Sequence, residues 1–231
     1  MTTAFPAPRT GVPAGTLGRE PIPTWMIVVA MLALSCLTTL AMQELVFTRD
    51  IYHRFYDQQL DPARVDAMFD LSASWRGLGY VVATLGTLLR ITMVALAFQT
   101  LLLLMGGVEA RLGELLRIAG LAYGALLGGM VMRAGWFFVM RDSLDPSSLT
   151  ITPDSLAGVL YAPGEGNPIV YSALTTISVS ELTWVLVAST LLVGLGKRVS
   201  RGQAIATVGI TWLVVAVLRV TLAALSAGLG S

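Results

Sequence analysis

The chain has 231 residues, of which 55% are hydrophobic and 13% charged, with a mean hydropathy of +0.75 and a net charge of +1. Soluble domains carry about 25% charged residues, so this composition belongs to an integral membrane protein, and the length suits one compact bundle. Nothing in the near-neutral balance suggests a nucleic-acid partner, and a single cysteine, Cys36, excludes an intramolecular disulfide or a multi-cysteine metal site.

Residues 1–23 are rich in Pro, Gly, Ala and Thr and lack a compact basic region beside a cleavage site. They read as a flexible cytoplasmic tail. Five apolar runs then follow, over 24–46, 78–106, 118–140, 173–195 and 203–225. Each is long enough for the ~20 residues that a helix needs to span, and far too long for a barrel strand. The expected fold is all-α membrane, one domain over 24–231 holding a five-transmembrane-helix bundle.

The connections differ in kind. Residues 47–77 are polar, acidic and aromatic, and LDPARVDAMFDLSASW within them predicts a short helix. Asp61 stands as N-cap, Pro62 suits the first turn, and Val65, Met68, Phe69 and Trp75 share one side. That helix is expected to lie along the membrane surface. IYHRFY, residues 51–56, reads as an interfacial anchor or a docking patch. Residues 107–117 form a short charged turn, and 141–172 a long loop with the turn signal APGEGNP. GKRVSRG, residues 196–202, is a tight basic turn.

The basic residues set the orientation. With the N-terminus inside, Arg9, Arg19, Arg111, Arg117, Lys197, Arg198 and Arg201 are cytoplasmic, against Arg49, Arg54, Arg64, Arg76 and Arg141 outside. The acid-free turn holding Lys197, Arg198 and Arg201 sharpens the bias. The C-terminus is then outside, and the cytoplasmic (inner) membrane is the expected location.

Charges inside the spans carry the chemistry. Glu44, Arg90, Arg133, Glu181 and Arg219 all stand in apolar runs. An ionised group at mid-bilayer costs at least about 2.5–3.5 kcal/mol, so partners are expected. At about 1.5 Å per residue all of these charges fall in the outer half of the bilayer, where they could meet in one layer. Such a layer most often serves only to fix which helices touch. The functional alternative is a polar pocket for an anionic lipid headgroup or a partner's carboxylate, since guanidinium grips both in a fork. Glu181 is expected to pair with Arg90 or Arg219. Arg133 is the one best placed to snorkel outward.

Other features point to packing. Gly120, Gly124 and Gly128 form a small-residue ridge, and Trp25, Trp75, Trp136, Trp184 and Trp212 read mostly as interfacial anchors. The sequence holds no phosphate-binding GxxxxGK[ST] and no HExxH, and its lone histidine, His53, cannot build a multi-histidine zinc site. No catalytic, cofactor-binding or metal-binding set emerges, and none is expected.

The second half of the chain resembles the Yip1 family of five-span membrane proteins, in its bacterial branch. ELLRIAGLAYGALLGG and NPIVYSALTTISVSELTWVLVASTLLVGLGKRVSRGQAIATVGITWLV carry the resemblance. Leu121, Ala122 and Tyr123 stand at the small-residue entry, and Trp184 in the polar fourth span. Gly194 and Leu195 precede the basic turn, Arg201 to Ala204 open the fifth span, and Trp212 follows. The third span lacks the proline often found after that entry, and the loop over 141–172 is longer than the family pattern. The resemblance implies a cytoplasmic N-terminus, no enzymatic activity, and partners that are membrane lipid and other integral membrane proteins. Eukaryotic members act in vesicle traffic and bind small GTPases, and some bacterial ones accompany ABC exporters. The expected function is therefore a non-catalytic accessory or scaffold subunit, with an ABC-type exporter as its leading partner. Two alternatives remain open. One is a small transporter or lipid- and anion-binding protein using Arg90, Glu181 and Arg219. The other is a fixed subunit of an energy-converting membrane complex.

Overall fold

The computed structural model describes residues 22–56, 59–143, 152–161 and 167–229. The expected N-terminal tail and most of the APGEGNP turn lie outside the described residues. Everything regular among those described is helical. The helices are α1 (Thr24–Ala41), α2 (Arg49–Tyr56), α3 (Pro62–Ser74), α4 (Arg76–Gly106), α5 (Leu112–Met140), α6 (Leu156–Leu160), α7 (Pro168–Thr175), α8 (Val179–Val193) and α9 (Arg201–Leu229).

Four of these helical stretches, Thr24–Val46, Arg76–Gly106, Leu112–Ser143 and Arg201–Ser226, are long and apolar enough to cross a membrane. The chain is a multi-pass membrane protein. The fourth expected run, 173–195, is not one continuous helix. It breaks at Thr176–Ser178, and the α8 that follows has 15 residues, or about 22 Å of helix against a hydrocarbon core of ~30 Å.

The break has a local cause and a distant one. Thr175 and Thr176 turn their hydroxyls back onto the carbonyls of Ser172 and Ala173, an alternative to continuing the ladder. Ser178 is extended, at φ −123° and ψ 158°. A separate segment then supplies what the helix lacks. The Leu156 N–H donates to the Ile177 carbonyl, and the Val179 N–H to the Asp154 carbonyl. The Ser180 N–H and hydroxyl both donate to the Asp154 carboxylate, the hydroxyl at 2.6 Å. The Glu181 N–H donates to the Ser178 hydroxyl at 3.1 Å. Every amide of the first turn is thus answered within the protein.

The other ends are more ordinary. α4 stops at Gly107, whose φ of +60° suits glycine, with Val108 N–H bonded back to Leu102 and Gly107 N–H to Leu103. α5 begins at Leu112, so the turn expected over 107–117 is shorter, and Arg117 lies on the helix. α9 opens on a reciprocal box: Ser200 N–H donates to the Gln203 amide oxygen, and Gln203 N–H to the Ser200 hydroxyl. Asp61 occupies the position before α3 and Pro62 its first turn, as expected, but the Asp61 side chain makes no capping bond.

α5 is the central helix, flanked by α1, α4 and α8, while α9 lies in the crook of α4 and α8 with α7 against it. The core holds Ile91, Phe98 and Leu102 from α4, Leu115 and Leu127 from α5, and Leu192 from α8, all 1% exposed or less. Trp184 belongs to this core at 4% exposure, beside Phe98, and is not an interfacial anchor. Trp25 and Trp75, 66% and 59% exposed at helix ends, fit that role better. The glycine ridge is a packing feature. A Cβ on Gly120 would stand 3.2 Å from Ile27, and one on Gly124 3.9 Å from Met31, so α1 lies along both, whereas Gly128 faces open space. On α5 the closest approach is at the neighbouring Gly129, where a Cβ would stand 2.5 Å from that of Ser180.

The bundle has two distinct ends. One, the turn end, carries the short links 107–111 and 194–200. The start of α1 sits there too, since the Thr24 hydroxyl donates to the Gly113 carbonyl at 3.2 Å. The other, the loop end, carries α2, α3, α6 and α7. There α1 ends in a π-helical turn, Met42–Val46, and Val46, Ile51, Phe55 and Phe137 close a small second core.

Candidate functional site

Glu181 is 6% exposed and lies in the first turn of α8, directly after the break. One of its oxygens accepts from Arg219 of α9 at 2.7 Å and from Arg90 of α4 at 3.5 Å. Both expected partners are present, on two different helices. The Arg219 contact is short and charge-assisted, and the Arg90 contact is at the limit of a hydrogen bond. Both arginine side chains are 36% exposed, so the cluster has a buried acidic centre and two basic arms that reach the bundle surface.

The cluster continues inward through neutral groups. The Arg90 guanidinium sits 5.8 Å from the Tyr123 ring centroid. The Tyr123 phenol is 3.2 Å from the Thr87 hydroxyl, which is 2.9 Å from the Ser35 hydroxyl. Ser35, Thr87, Tyr123, Arg90, Glu181 and Arg219 form a polar thread touching α1, α4, α5, α8 and α9 in turn. Ser35 and Thr87 escaped the sequence reading because a small hydroxyl residue in an apolar run looks neutral until its partner is known. The usable signal was that each falls on the buried side of its helix.

The other two expected members are elsewhere, so the single polar layer is corrected. Glu44, in the π-helical turn, pairs with Arg76 at 2.7 Å and is 51% exposed. Arg76 also lies 5.4 Å from the Phe69 ring, which Arg49 approaches at 5.1 Å. Arg49 in turn binds Asp66 and Asp70, and His53 binds Asp66. Arg133 lies 5.3 Å from the Phe137 ring and within electrostatic reach of Asp154, the residue that completes the start of α8. Along α4, Arg76 stands fourteen residues, about 21 Å of helix, from Arg90, and along α5 Arg133 stands ten residues, about 15 Å, from Tyr123, so both groups lie nearer the loop end than the cluster. Arg76 and Asp154 were missed because both stand in segments that read as connections.

Beside the cluster, α4 and α9 leave a cleft of about 610 Å³ with Arg90 and Arg219 at one end. The cleft's remaining walls are apolar apart from Thr100 and Thr211, and the Thr211 hydroxyl already donates to the Thr207 carbonyl. Among the described residues, no group of three or more His, Cys, Asp or Glu side chains stands close enough to hold a metal ion. Chemically the arrangement can bind an anion and can cross-link helices. No family model matches the chain, and neither a curated protein nor a solved structure matches it.

Proposed function

We propose that this chain is a non-catalytic protein of the cytoplasmic membrane that works by binding, with Arg90, Glu181 and Arg219 recognising an anionic group presented within the membrane. The observation that carries this reading is the stoichiometry of the cluster. One carboxylate is shared by two guanidiniums, so a unit of positive charge is left over, and both arginines reach the surface. A pair serving packing alone needs one arginine. A surplus arginine in an apolar surrounding is costly unless an anion answers it.

In this reading the chain crosses five times, with α7 and α8 together making the fourth crossing. The N-terminus is cytoplasmic, because the turn end carries Arg111, Lys197, Arg198 and Arg201. The cluster then lies in the outer half of the bilayer, and α3 rests at the outer surface.

The test is native mass spectrometry of the full chain released from nanodiscs made with its own host lipids. The wild type is expected to carry a stoichiometric anionic species that Arg90→Gln/Arg219→Gln loses. If the double variant, folded by circular dichroism and gel filtration, keeps the same species, the cluster is structural only. A stoichiometric membrane protein retained through the same arginines would place the anionic group on a partner's side chain, and would favour the accessory-subunit role that the Yip1 resemblance implies.

A further inference from the structure

We infer that the anionic group is the phosphate or carboxylate head of a membrane amphiphile, whose hydrocarbon chain lies in the cleft between α4 and α9. This inference rests on the binding role proposed for the cluster and adds the kind of ligand.

Three features of the cleft select an amphiphile. The first is polarity along its length. From Arg90, the α4 wall runs through Met93 and Ala97 to Leu101, and from Arg219 the α9 wall runs through Leu218 and Val214 to Ile210. The arginines stand together near the middle of α4, at the end of the cleft that faces the loop end, and the apolar walls extend from them toward the turn end. Eleven residues from Arg90 to Leu101 make about 16 Å of helix. A ligand with a charged head and a chain matches that gradient, and a free anion would use only its top.

The second feature is size. A methylene at roughly the 30 Å³ of a liquid water gives about twenty methylenes in 610 Å³, room for about one acyl chain. A partner helix ~10 Å across would displace roughly 1,200 Å³ over the same 16 Å, about twice the cleft. The third feature is access. Met93, Val214 and Leu218 are 59%, 53% and 56% exposed, so the cleft opens sideways to lipid, and a chain can enter without leaving the bilayer.

Charge sets the head. Two guanidiniums and one carboxylate sum to one positive unit, which a monoanionic phosphate or carboxylate neutralises. Thr211 is internally bonded, so that hydroxyl asks nothing of the chain.

The test uses the full chain in phosphatidylcholine nanodiscs doped with monododecyl phosphate at pH 5, where the phosphate monoester is chiefly a monoanion, read by native mass spectrometry. Dodecanol serves as the neutral amphiphile of equal chain length, and inorganic phosphate as the free anion. Wild type is expected to retain monododecyl phosphate at least tenfold better than dodecanol, and a hundredfold excess of inorganic phosphate should leave it bound. Ala97→Trp fills the cleft without touching the cluster and should weaken retention at least tenfold. Val214→Trp makes the same test from the other wall should the first variant fail to fold. Retention unchanged in a folded cleft-filled variant, or displacement by inorganic phosphate, overturns the amphiphile while leaving the cluster as an anion site. Retention that does not depend on Arg90 and Arg219 overturns both. Loss of the amphiphile only when a stoichiometric membrane protein occupies the cleft would assign it to a partner and overturn this inference.

Discussion

Glu181→Gln, combined with Arg219→Gln in a double-mutant cycle, probes the cluster most directly. Opposite unit charges about 4 Å apart at an effective dielectric of 20 attract by about 4 kcal/mol. That figure is an upper bound here, because the Arg219 side chain is 36% exposed and its charge is not fully enclosed with that of Glu181. Polar contacts between membrane helices average about 0.6 kcal/mol and reach about 1.7. The 2.7 Å contact to a buried carboxylate belongs at the top of that range, so a coupling of about 1–2 kcal/mol is expected. The Arg90 contact, at 3.5 Å, should couple by less than half as much. Glu181→Gln alone should destabilise by more than either coupling, because it leaves two guanidiniums facing each other without a counter-charge. The assay is unfolding by dodecyl sulfate in mixed micelles, followed by circular dichroism. A Glu181–Arg219 coupling under about 0.3 kcal/mol, or an Arg90 coupling larger than that of Arg219, would refute the reasoning.

Four further expectations follow from the packing. Gly129→Ala should cost about 1–3 kcal/mol in the same assay, because its Cβ would stand 2.5 Å from that of Ser180, whereas Gly128→Ala should be neutral or slightly stabilising in its open space. Asp154→Ala removes the acceptor of the Ser180 amide and hydroxyl, and should cost about 1–2 kcal/mol and raise hydrogen exchange in the first turn of α8. Thr87→Val cuts the thread on both sides and should cost about 1–2 kcal/mol, while Thr92→Val, whose hydroxyl only bonds its own helix, should cost less than 0.5. In a Cys36→Ser background, cysteines at Arg111 and Ser200 should react with an impermeant maleimide only from the cytoplasmic side, and cysteines at Asp142 and Asn167 only from the outside. The reverse pattern would invert the proposed orientation.

The long helices were legible because an apolar run of 20 or more residues has few other solutions. The Glu181 pairing was legible for a related reason: a carboxylate in such a run requires a partner, and only a few arginines lie at its depth. Depth, however, comes from counting residues, while direction around a helix depends on how neighbours pack. Counting also assumes that every apolar run starts and stops at one level, and Glu44 and Arg133 lie nearer the loop end than the cluster, beside Arg76 and Phe137. Trp184 looked like an anchor because tryptophan prefers interfaces, but the space beside Phe98 in the core takes it. The break before α8 was invisible to hydropathy, since Thr175–Thr176–Ile177 is apolar enough for a span. What ends the helix is competition from Asp154 and Leu156, more than twenty residues earlier in the chain.

That break bears on how the protein is made. The segment 152–161 leaves the ribosome before Val179 does, so the groups that answer the first amides of α8 already exist when that helix emerges. A nascent stretch over 168–193, judged by its own hydropathy, would enter the bilayer as one straight rod. Its final bent form depends on a template delivered earlier. Transposing 152–161 to a position behind α9 would keep every residue but reverse that order, leaving α7 and α8 to settle straight first and to bend only once their template arrives.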